Sequence, residues 1–550
     1  AYPSCVLAAR LRALNSNCSG IFVSPTSALE RSGSVGFCLI IWSTCGLLSL
    51  LGALAFAELS TVVPRSGAEY AYFIEAFTPL HQYAGQLPAF ICSWVYVMLL
   101  RPAEVAVVIL TFAEYSVQPF SSHLGDLPEE SMHRLKKLIA LLALGLITYI
   151  NLTSVKLYVR VQNVFTICKV AACAVVIIGG IWWLGTGHVE LLKEPFRGST
   201  TSAGDVALAF YSGLWAYDGW SSAAVVTEEI QNPERNILRS ICIAVPLITV
   251  LYVSMNLMYM SALTMPEMVG APAVAVTWAG RVLPEWMGFV IPLGVALSTF
   301  GCALSIQFGV SRLCYVAGRE GHVPRFFSFV HMEKMTPAAA VAFQGMLSVI
   351  CLLVGNIIAL IEFASFLTWV FYGLAMISLI IMRRTKPTAP RPYAVPIVIP
   401  WLVLCISVFL AVVPIIHEPS PKYLFALLFI VMGVGVYHVY VYKKTKSVLS
   451  DSSAVSDKAG GSSKQKNSLT HPVPISTGLL NIPLTNDWRR CILSSKKLGA
   501  KLSPSHFFLG KLKCEMGTFC LLNCDNSLTK SVYLLNTNHH MPFFSSTLNL

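Results

Sequence analysis

Long apolar runs separated by short polar segments dominate the pattern of this chain. Eleven of these runs reach about 20 residues, the length at which an α-helix crosses the hydrocarbon core of a bilayer. The apolar piece at 20–25 is too short to cross. The pattern therefore predicts an all-α membrane protein with many passes. The predicted spans cover residues 36–60, 88–115, 136–154, 162–186, 206–226, 239–263, 285–315, 338–360, 362–382, 396–416 and 422–442.

Composition agrees with this prediction and narrows the class of protein. Hydrophobic residues make up 55% of the 550 residues and charged residues only 12%, which excludes a soluble enzyme. The spans contain no nucleophile–base pair and no metal-ligand cluster, so neither catalysis nor a cofactor is expected. The net charge of +12 is concentrated after residue 442, where 14 Lys and Arg face 5 Asp and Glu. We therefore expect the basic residues to contact anionic lipid rather than nucleic acid.

Three segments of the chain differ in character. Residues 1–19 are atypical, because they lack the apolar core and the cleavage site of a signal peptide. Residues 20–443 contain the spans. Residues 444–550 are rich in Ser, Lys and Asn and have no spanning run, which predicts a mostly disordered cytoplasmic tail. The basic clusters at 383–386 and 443–446 support a cytoplasmic carboxyl terminus, because short cytoplasmic loops are enriched in Lys and Arg.

One stretch inside a predicted span, YSGLWAYDGW at 211–220, breaks the apolar pattern. It contains two glycines, Gly213 and Gly219, and each weakens a helix by about 1 kcal/mol relative to Ala. It also contains Asp218, and a carboxylate at membrane depth costs at least about 2.5 kcal/mol unless it faces a polar cavity. The stretch therefore predicts a broken helix whose freed backbone groups line a binding site. The alternative is a kinked helix in which Asp218 is hydrogen-bonded to a neighbour.

Six short motifs follow one another along residues 18–443. They are SGIFVSP at 19–25, LGALAFAEL at 51–59, PRSGAEY at 64–70, YSGLWAYDGW at 211–220, TEEIQNP at 227–233 and AGREGH at 317–322. In kind and order these motifs resemble the light subunits of heteromeric amino acid transporters, within the amino acid–polyamine–organocation superfamily. Within that family, residues 214–220 are most similar to the b(0,+) type.

The resemblance implies a LeuT-type inverted-repeat fold of about twelve helices, here with an incomplete first helix. In this fold two five-helix repeats surround a midplane site, and the first and sixth helices are unwound. The resemblance also implies sodium-independent exchange of amino acids across the plasma membrane. The b(0,+) type exchanges cationic amino acids and cystine for neutral amino acids. The implied partner is a single-span glycoprotein heavy chain.

An amino acid substrate carries a carboxylate, which needs N–H donors, and an ammonium group, which needs carbonyl oxygens. The free ends of broken helices offer both kinds of group. The resemblance implies that the substrate carboxylate lies on the backbone of the first unwound helix, where Cys18 replaces a family glycine. The substrate-binding residues implied there are Asn17, Cys18, Ser19, Gly20 and Ile21.

On the sixth helix, the resemblance implies that the substrate ammonium lies near the carbonyls of Trp215 and Ala216. The other binding residues implied are Tyr211, Tyr217 and Asp218. Trp215 matches the aromatic residue that caps the occupied pocket and gates it; the alternative is a core or interface aromatic. Asp218 would form a charge-assisted bond with a cationic substrate side chain; the alternative is an internal pair with a basic residue.

Further charged positions lie within the predicted spans. Lys169 matches a family lysine beside the unwound first helix, where its ammonium replaces a sodium ion; the alternative is that it snorkels to the cytoplasmic surface. Arg101 and Glu104 are spaced i, i+3, which predicts an ion pair on one helix face. Glu58 is expected to anchor the cytoplasmic end of a helix.

The chain departs from the family pattern at three places. Residues 1–17 are polar where the family has the apolar first half of its first helix. The loop at 116–133 lacks the cysteine that joins the heavy chain, so we expect a heavy chain to associate non-covalently. Leu304 replaces an amide of close relatives and is expected to narrow the pocket or alter selectivity. The first departure keeps open a second hypothesis, a non-transporting membrane protein that is either a sensor or an inactive variant.

Overall fold

The computed structural model describes residues 20–442 and three strands between residues 508 and 536. Within 20–442 the description omits residues 82, 121–127, 221–223, 225–226, 228–231, 272, 332–333, 335, 355–356 and 418. The predicted binding residues Asn17, Cys18 and Ser19 lie outside the described residues.

The described part of residues 20–442 is helical and contains sixteen α-helices. The first eight are α1 (Pro25–Ser32), α2 (Val35–Val62), α3 (Glu69–Phe77), α4 (Leu87–Val95), α5 (Arg101–Val117), α6 (Glu129–Thr153), α7 (Val155–Gly185) and α8 (Ala203–Tyr217). The others are α9 (Pro233–Ala262), α10 (Met265–Gly270), α11 (Val274–Val282), α12 (Val290–Arg319), α13 (Ala338–Val354), α14 (Ile357–Thr385), α15 (Val398–His417) and α16 (Pro421–Val436). Short 3₁₀ or π segments include Gly20–Phe22, Tyr96–Leu100 and Tyr437–Tyr442.

Nine helical segments among the described residues are long and apolar enough to cross a bilayer. They match nine of the eleven predicted spans, so the prediction of an all-α protein with many passes is confirmed for this part of the chain. The remaining two predicted spans, 206–226 and 338–360, correspond to α8 and α13, which have 15 and 17 residues. The prediction at 206–226 is wrong in its extent, because α8 ends at Tyr217.

Small residues allow the long helices to approach one another closely. Helix α2 packs along α9, and a Cβ added at Gly46 would lie only 2.3 Å from Thr249 Oγ1. Helix α7 packs against α9 and α12, where Gly180 faces Met258 and a Cβ added there would lie 2.4 Å from its side chain. Close helix contacts of this kind hold the bundle together without a hydrophobic driving force from water.

A buried ion pair fixes one end of the bundle. The side chain of Glu58, near the end of α2, is fully buried. Arg383 at the end of α14 donates from Nε to Glu58 Oε1 at 2.9 Å and from Nη2 to Glu58 Oε2 at 2.5 Å. The backbone N–H of Val395 donates to Glu58 Oε2 at 2.8 Å. Glu58 therefore ties α2 to α14 and to the segment before α15, which confirms that it anchors a helix end.

Residues 508–536 form a three-stranded antiparallel sheet in the order β1-β2-β3. The strands are β1 (Phe508–Cys514), β2 (Gly517–Asn526) and β3 (Thr529–Asn536). Leu512 pairs with Phe519, and Leu521 pairs with Leu534. The sequence prediction missed these strands. Polar and apolar residues alternate around Leu512, which stands between two lysines, and this period of two is typical of a strand. A mostly disordered tail stays a prediction for the residues outside them.

Candidate functional site

Helix α8 ends inside the stretch that the sequence singled out. Its last residue is Tyr217, and Asp218 adopts an extended backbone with φ −61° and ψ 150°. Gly219 follows with φ +111°, a conformation that glycine adopts without steric cost. The N–H of Asp218 donates to Trp215 O at 3.2 Å, which closes the last turn. The predicted helix break is therefore present, and Asp218 stands at it.

A second irregular segment touches this break. Gly20–Phe22 forms a single 3₁₀ turn directly before α1, and Gly20 and Ile21 are buried. A Cβ added at Gly20 would lie 2.3 Å from Ala216 Cα and 2.8 Å from Ala216 Cβ. Only glycine allows this approach of the two backbones. The structure thus brings the predicted residues Gly20 and Ala216 together.

A cavity opens beside the break. Its empty volume is about 300 Å³ when the open solvent at its mouth is counted, but the centre of a water molecule can occupy only about 10 Å³ of it, which is room for about one water. Of the predicted site residues, Trp215 and Asp218 line this cavity. The complete lining is Ser49, Leu214, Trp215, Asp218, Trp220, Ser365, Thr368, Trp369 and Tyr372.

Four lining residues come from α14 and were missed by the sequence prediction. They are Ser365, Thr368, Trp369 and Tyr372. Their spacing is i, i+3, i+4 and i+7, so they share one face of the helix. A polar and aromatic face inside an apolar span was a signal that could have identified them.

Asp218 is held by two partners from distant parts of the chain. Tyr372 on α14 donates its hydroxyl hydrogen to Asp218 Oδ1. Arg101 at the start of α5 approaches Asp218 Oδ2 with Nη1 at 3.4 Å. The alternative in which Asp218 pairs internally with a basic residue therefore describes this structure. The carboxylate still borders the cavity, and 18% of its side chain is exposed.

Arg101 also forms the predicted ion pair with Glu104. Its Nη1 lies 2.6 Å from Glu104 Oε2, which confirms the i, i+3 pair. The guanidinium stands 5.0 Å from the centre of the Tyr96 ring, at a distance suited to a cation–π contact. Tyr96 belongs to the π turn that precedes α5, and such turns often mark functional positions. Two carboxylates, Glu104 and Asp218, thus share one guanidinium.

A third carboxylate lies close enough to sense this cluster. Glu69 begins α3, between two spans, and its side chain is buried with no hydrogen-bond partner for Oε1 among the described residues. Burial raises the pKa of Glu69 to about 7, while the positive charge of Arg101 lowers it and the negative charge of Asp218 raises it. Glu69 is therefore about half ionised at neutral pH, whereas a solvated glutamate is almost fully ionised.

The two tyrosines of the predicted binding set pack between helices instead of lining the cavity. Tyr211 donates its hydroxyl to Leu410 O, and Tyr217 donates its hydroxyl to Trp42 O at 3.1 Å. Both side chains are buried. Ala216 O accepts a hydrogen bond from Tyr252 at 3.0 Å, which leaves this carbonyl one lone pair for another donor.

Two other predicted positions lie inside the bundle. Lys169 on α7 is only 2% exposed, so its side chain does not snorkel to the surface as the alternative proposed. Its role as a substitute for sodium stays a prediction. Leu304 on α12 is fully buried and belongs to a separate apolar cluster, while its carbonyl accepts a bond from Asn151 at 3.3 Å. Leu304 does not line the described cavity.

Comparison with known families agrees with the motifs. The family model described as amino acid permease matches residues 14–437. This range contains the helix break, the 3₁₀ turn, the cavity and nearly all the described helices.

Individual relatives cover most of the chain. The b(0,+)-type amino acid transporter 1 of Mus musculus is 43% identical over 426 residues, which are 78% of this chain and 85% of the relative. The cystine/glutamate transporter of Homo sapiens is 38% identical over 423 residues, 77% of this chain and 82% of the relative. The large neutral amino acids transporter small subunit 2 of Mus musculus is 37% identical over 431 residues, 78% of each chain.

Proposed function

We propose that this multi-pass membrane transporter of amino acids is a sodium-independent exchanger. The premise is that the chain belongs to the amino acid permease family. It would carry cationic amino acids and cystine in one direction and neutral amino acids in the other, across the plasma membrane. The transporting part would comprise residues 20–443. The observation that carries the proposal is a carboxylate, Asp218, that borders a cavity at the end of α8, where the 3₁₀ turn at Gly20 contacts Ala216.

The two ends of an amino acid fit the 3₁₀ turn at Gly20 and the break after α8. The carboxylate would accept hydrogen bonds from backbone N–H groups around Gly20 and Ile21, with Asn17, Cys18 and Ser19 completing that side. The substrate ammonium would donate to the remaining lone pairs of the Trp215 and Ala216 carbonyls at the end of α8, which already accept from the Asp218 N–H and the Tyr252 hydroxyl. These contacts are common to all amino acids, so they would select the class of substrate but not its side chain.

Asp218 would select the side chain. A guanidinium or ammonium group in the cavity would form a charge-assisted hydrogen bond with the exposed part of this carboxylate. Trp215, which borders the same cavity, would close over the bound substrate. Lys169 would supply within the bundle the positive charge that sodium supplies in other transporters.

Exchange would proceed by alternating access to this one site. The 3₁₀ turn before α1 contacts the end of α8 through Gly20 and Ala216. Helices α1 and α8 would therefore move as one body. Such a movement would open one side of the cavity while closing the other. A requirement for internal substrate follows if the empty protein changes sides much more slowly than the loaded protein.

Uptake into proteoliposomes tests exchange directly. Radiolabelled arginine uptake should require leucine or arginine inside the vesicles and should be unchanged when sodium is replaced by choline. Uptake without internal amino acid, or uptake that depends on sodium, would contradict the proposed mode. Absence of uptake from a well-folded preparation would support the second hypothesis, a non-transporting sensor or inactive variant.

Asp218→Asn tests the proposed role of the carboxylate. Because hydrogen bonds to charged groups contribute about 1.5–3 kcal/mol, the KM for arginine should rise roughly tenfold to a hundredfold. The KM for leucine should change little. Asp205→Asn in α8, the helix that ends directly before Asp218, is a matched control, since Asp205 pairs with Arg31 at 3.4 Å and does not line the cavity. Equal losses for arginine and leucine in Asp218→Asn would contradict the side-chain role.

The proposed partner is a single-span glycoprotein heavy chain bound non-covalently. The name of one relative, a small subunit, supports a larger companion. Residues 116–133 contain no cysteine, so a complex should dissociate in denaturing detergent without a reducing agent. A complex that needs reductant to separate would contradict non-covalent association.

A further inference from the structure

Glu104 is an unexplained carboxylate in a membrane span. Only 3% of its side chain is exposed, and a charge buried at membrane depth is costly. Its Oε2 takes the bond from Arg101, whereas its Oε1 has no hydrogen-bond partner among the described residues. Glu104 does not line the cavity, so a direct contact with substrate does not account for it.

The geometry of Arg101 shows what Glu104 changes. The guanidinium Nη1 lies 2.6 Å from Glu104 but 3.4 Å from Asp218, so the tighter bond goes to Glu104. If Glu104 were apolar, Arg101 and Asp218 would form a neutral pair. With both carboxylates ionised, the cluster carries one net negative charge. Because Asp218 is the member that borders the cavity, this charge is presented there.

We propose that Glu104 is a positioning residue that sets substrate specificity: it neutralises Arg101 and so leaves the charge of Asp218 available to a cationic amino acid side chain. This inference rests on the proposed function, because it assigns a role within the same site. It differs from the role of Asp218, since Glu104 acts only through Arg101. Glu104 is placed to do this because it lies three residues from Arg101 on the same helix.

Glu104→Gln removes the charge and keeps the shape of the side chain. Arg101 should then turn its charge toward Asp218, and the KM for arginine should rise about tenfold. The KM and kcat for leucine should stay within about twofold, because a neutral side chain does not sense the charge. Glu104→Asp should recover most of the arginine affinity. Glu114→Gln is the matched control on α5, since Glu114 pairs with Lys136 at 2.7 Å and does not line the cavity.

A double substitution separates this role from a structural one. Removing both charges with Arg101→Gln and Glu104→Gln leaves Asp218 as the one charge of the trio, so arginine affinity should return to within about threefold of wild type. A merely structural role predicts that the double variant is no better than Glu104→Gln. Equal losses for arginine and leucine, or no recovery in the double variant, would overturn the proposal.

Binding measured on purified protein keeps this test separate from the transport mode. Equilibrium binding of radiolabelled arginine and leucine to wild type and variants does not require exchange. If wild type binds arginine but shows no internal-substrate requirement, the exchange proposal fails while the role of Glu104 is still decided by the arginine-to-leucine ratio. If Glu104→Gln leaves that ratio unchanged, the role of Glu104 is refuted even where exchange is demonstrated.

Discussion

Gly20→Ala is the substitution that tests most directly whether the 3₁₀ turn at Gly20 and the end of α8 form one unit. The 3₁₀ turn at Gly20 lies against the end of α8, and a new Cβ would lie 2.3 Å from Ala216 Cα. Carbon atoms in proteins normally approach to about 3.5–4.0 Å. The turn and the helix would therefore have to separate by roughly 1.2 Å or more. A backbone atom cannot rotate out of the way as a side chain can.

The cost of that separation can be estimated from the contacts that hold the turn. Overpacking a close-packed interior costs about 1–3 kcal/mol. Tyr115 donates to Phe22 O at 2.9 Å and Ser24 donates to Gly20 O at 3.1 Å, so a shift would also weaken a bond worth about 1 kcal/mol. Gly20→Ala should therefore lower the free energy of unfolding by about 2–4 kcal/mol. Transport should fall as well, because the substrate carboxylate is proposed to bind here.

Thermal unfolding in nanodiscs, followed by tryptophan fluorescence, and arginine uptake by proteoliposomes measure these two effects. Gly145→Ala is the matched control, because a Cβ there meets no atom within 4 Å. In the middle of α6, alanine should be neutral or stabilise by up to about 1 kcal/mol. A Gly20→Ala protein with wild-type melting temperature and wild-type uptake would refute the close contact between the turn and α8.

Three further substitutions test buried charges by denaturation of the purified protein. Glu58→Gln should lower the free energy of unfolding by about 3–5 kcal/mol, because it leaves Arg383 without its carboxylate. A loss below about 1 kcal/mol, which is typical of an exposed ion pair, would contradict the anchoring role of Glu58. Burial lowers the pKa of His322 from 6.5 to about 4, so between these pH values only the unfolded chain binds the proton. The free energy of unfolding should therefore fall by up to about 3 kcal/mol as the pH drops through this range. His322→Gln should flatten that slope. Burial raises the pKa of Glu69 to about 7 from 4.5, so stability should fall as pH rises through this window. Glu69→Gln should be more stable than wild type at pH 8 but not at pH 4, and equal stability at both would contradict the shift.

The spans were predictable because the bilayer imposes one strong local rule. A helix that crosses hydrocarbon needs about 20 apolar residues, and the sequence shows such runs without reference to their neighbours. The break in α8 was predictable for the same reason, since Gly219 and Asp218 are both unfavourable in a buried helix. The length of α8 was not predicted, because apolar residues follow beyond Gly219, and the helix ends only through the extended backbone of Asp218 and the positive φ of Gly219.

The partners of Asp218 could not be predicted from local pattern. Tyr372 follows it by 154 residues and Arg101 precedes it by 117, and helix packing alone decides that they meet. The same limit applies to Tyr211 and Tyr217, whose aromatic rings suit a pocket and a helix interface equally well. A local motif thus identifies where a site is more reliably than which side chains face it.

Two acidic side chains buried in this bundle illustrate how a structural charge differs from a functional one. Glu58 receives two bonds from Arg383 and one from a backbone N–H, so both of its oxygens are satisfied and its burial cost is offset locally. Glu104 has one bonded oxygen and one without a partner among the described residues, and the guanidinium it binds also reaches the cavity-lining Asp218. An incompletely satisfied charge at membrane depth lowers stability. Its presence in a membrane span is explained by the proposed role, in which Glu104 neutralises Arg101 and leaves the charge of Asp218 available to a cationic substrate.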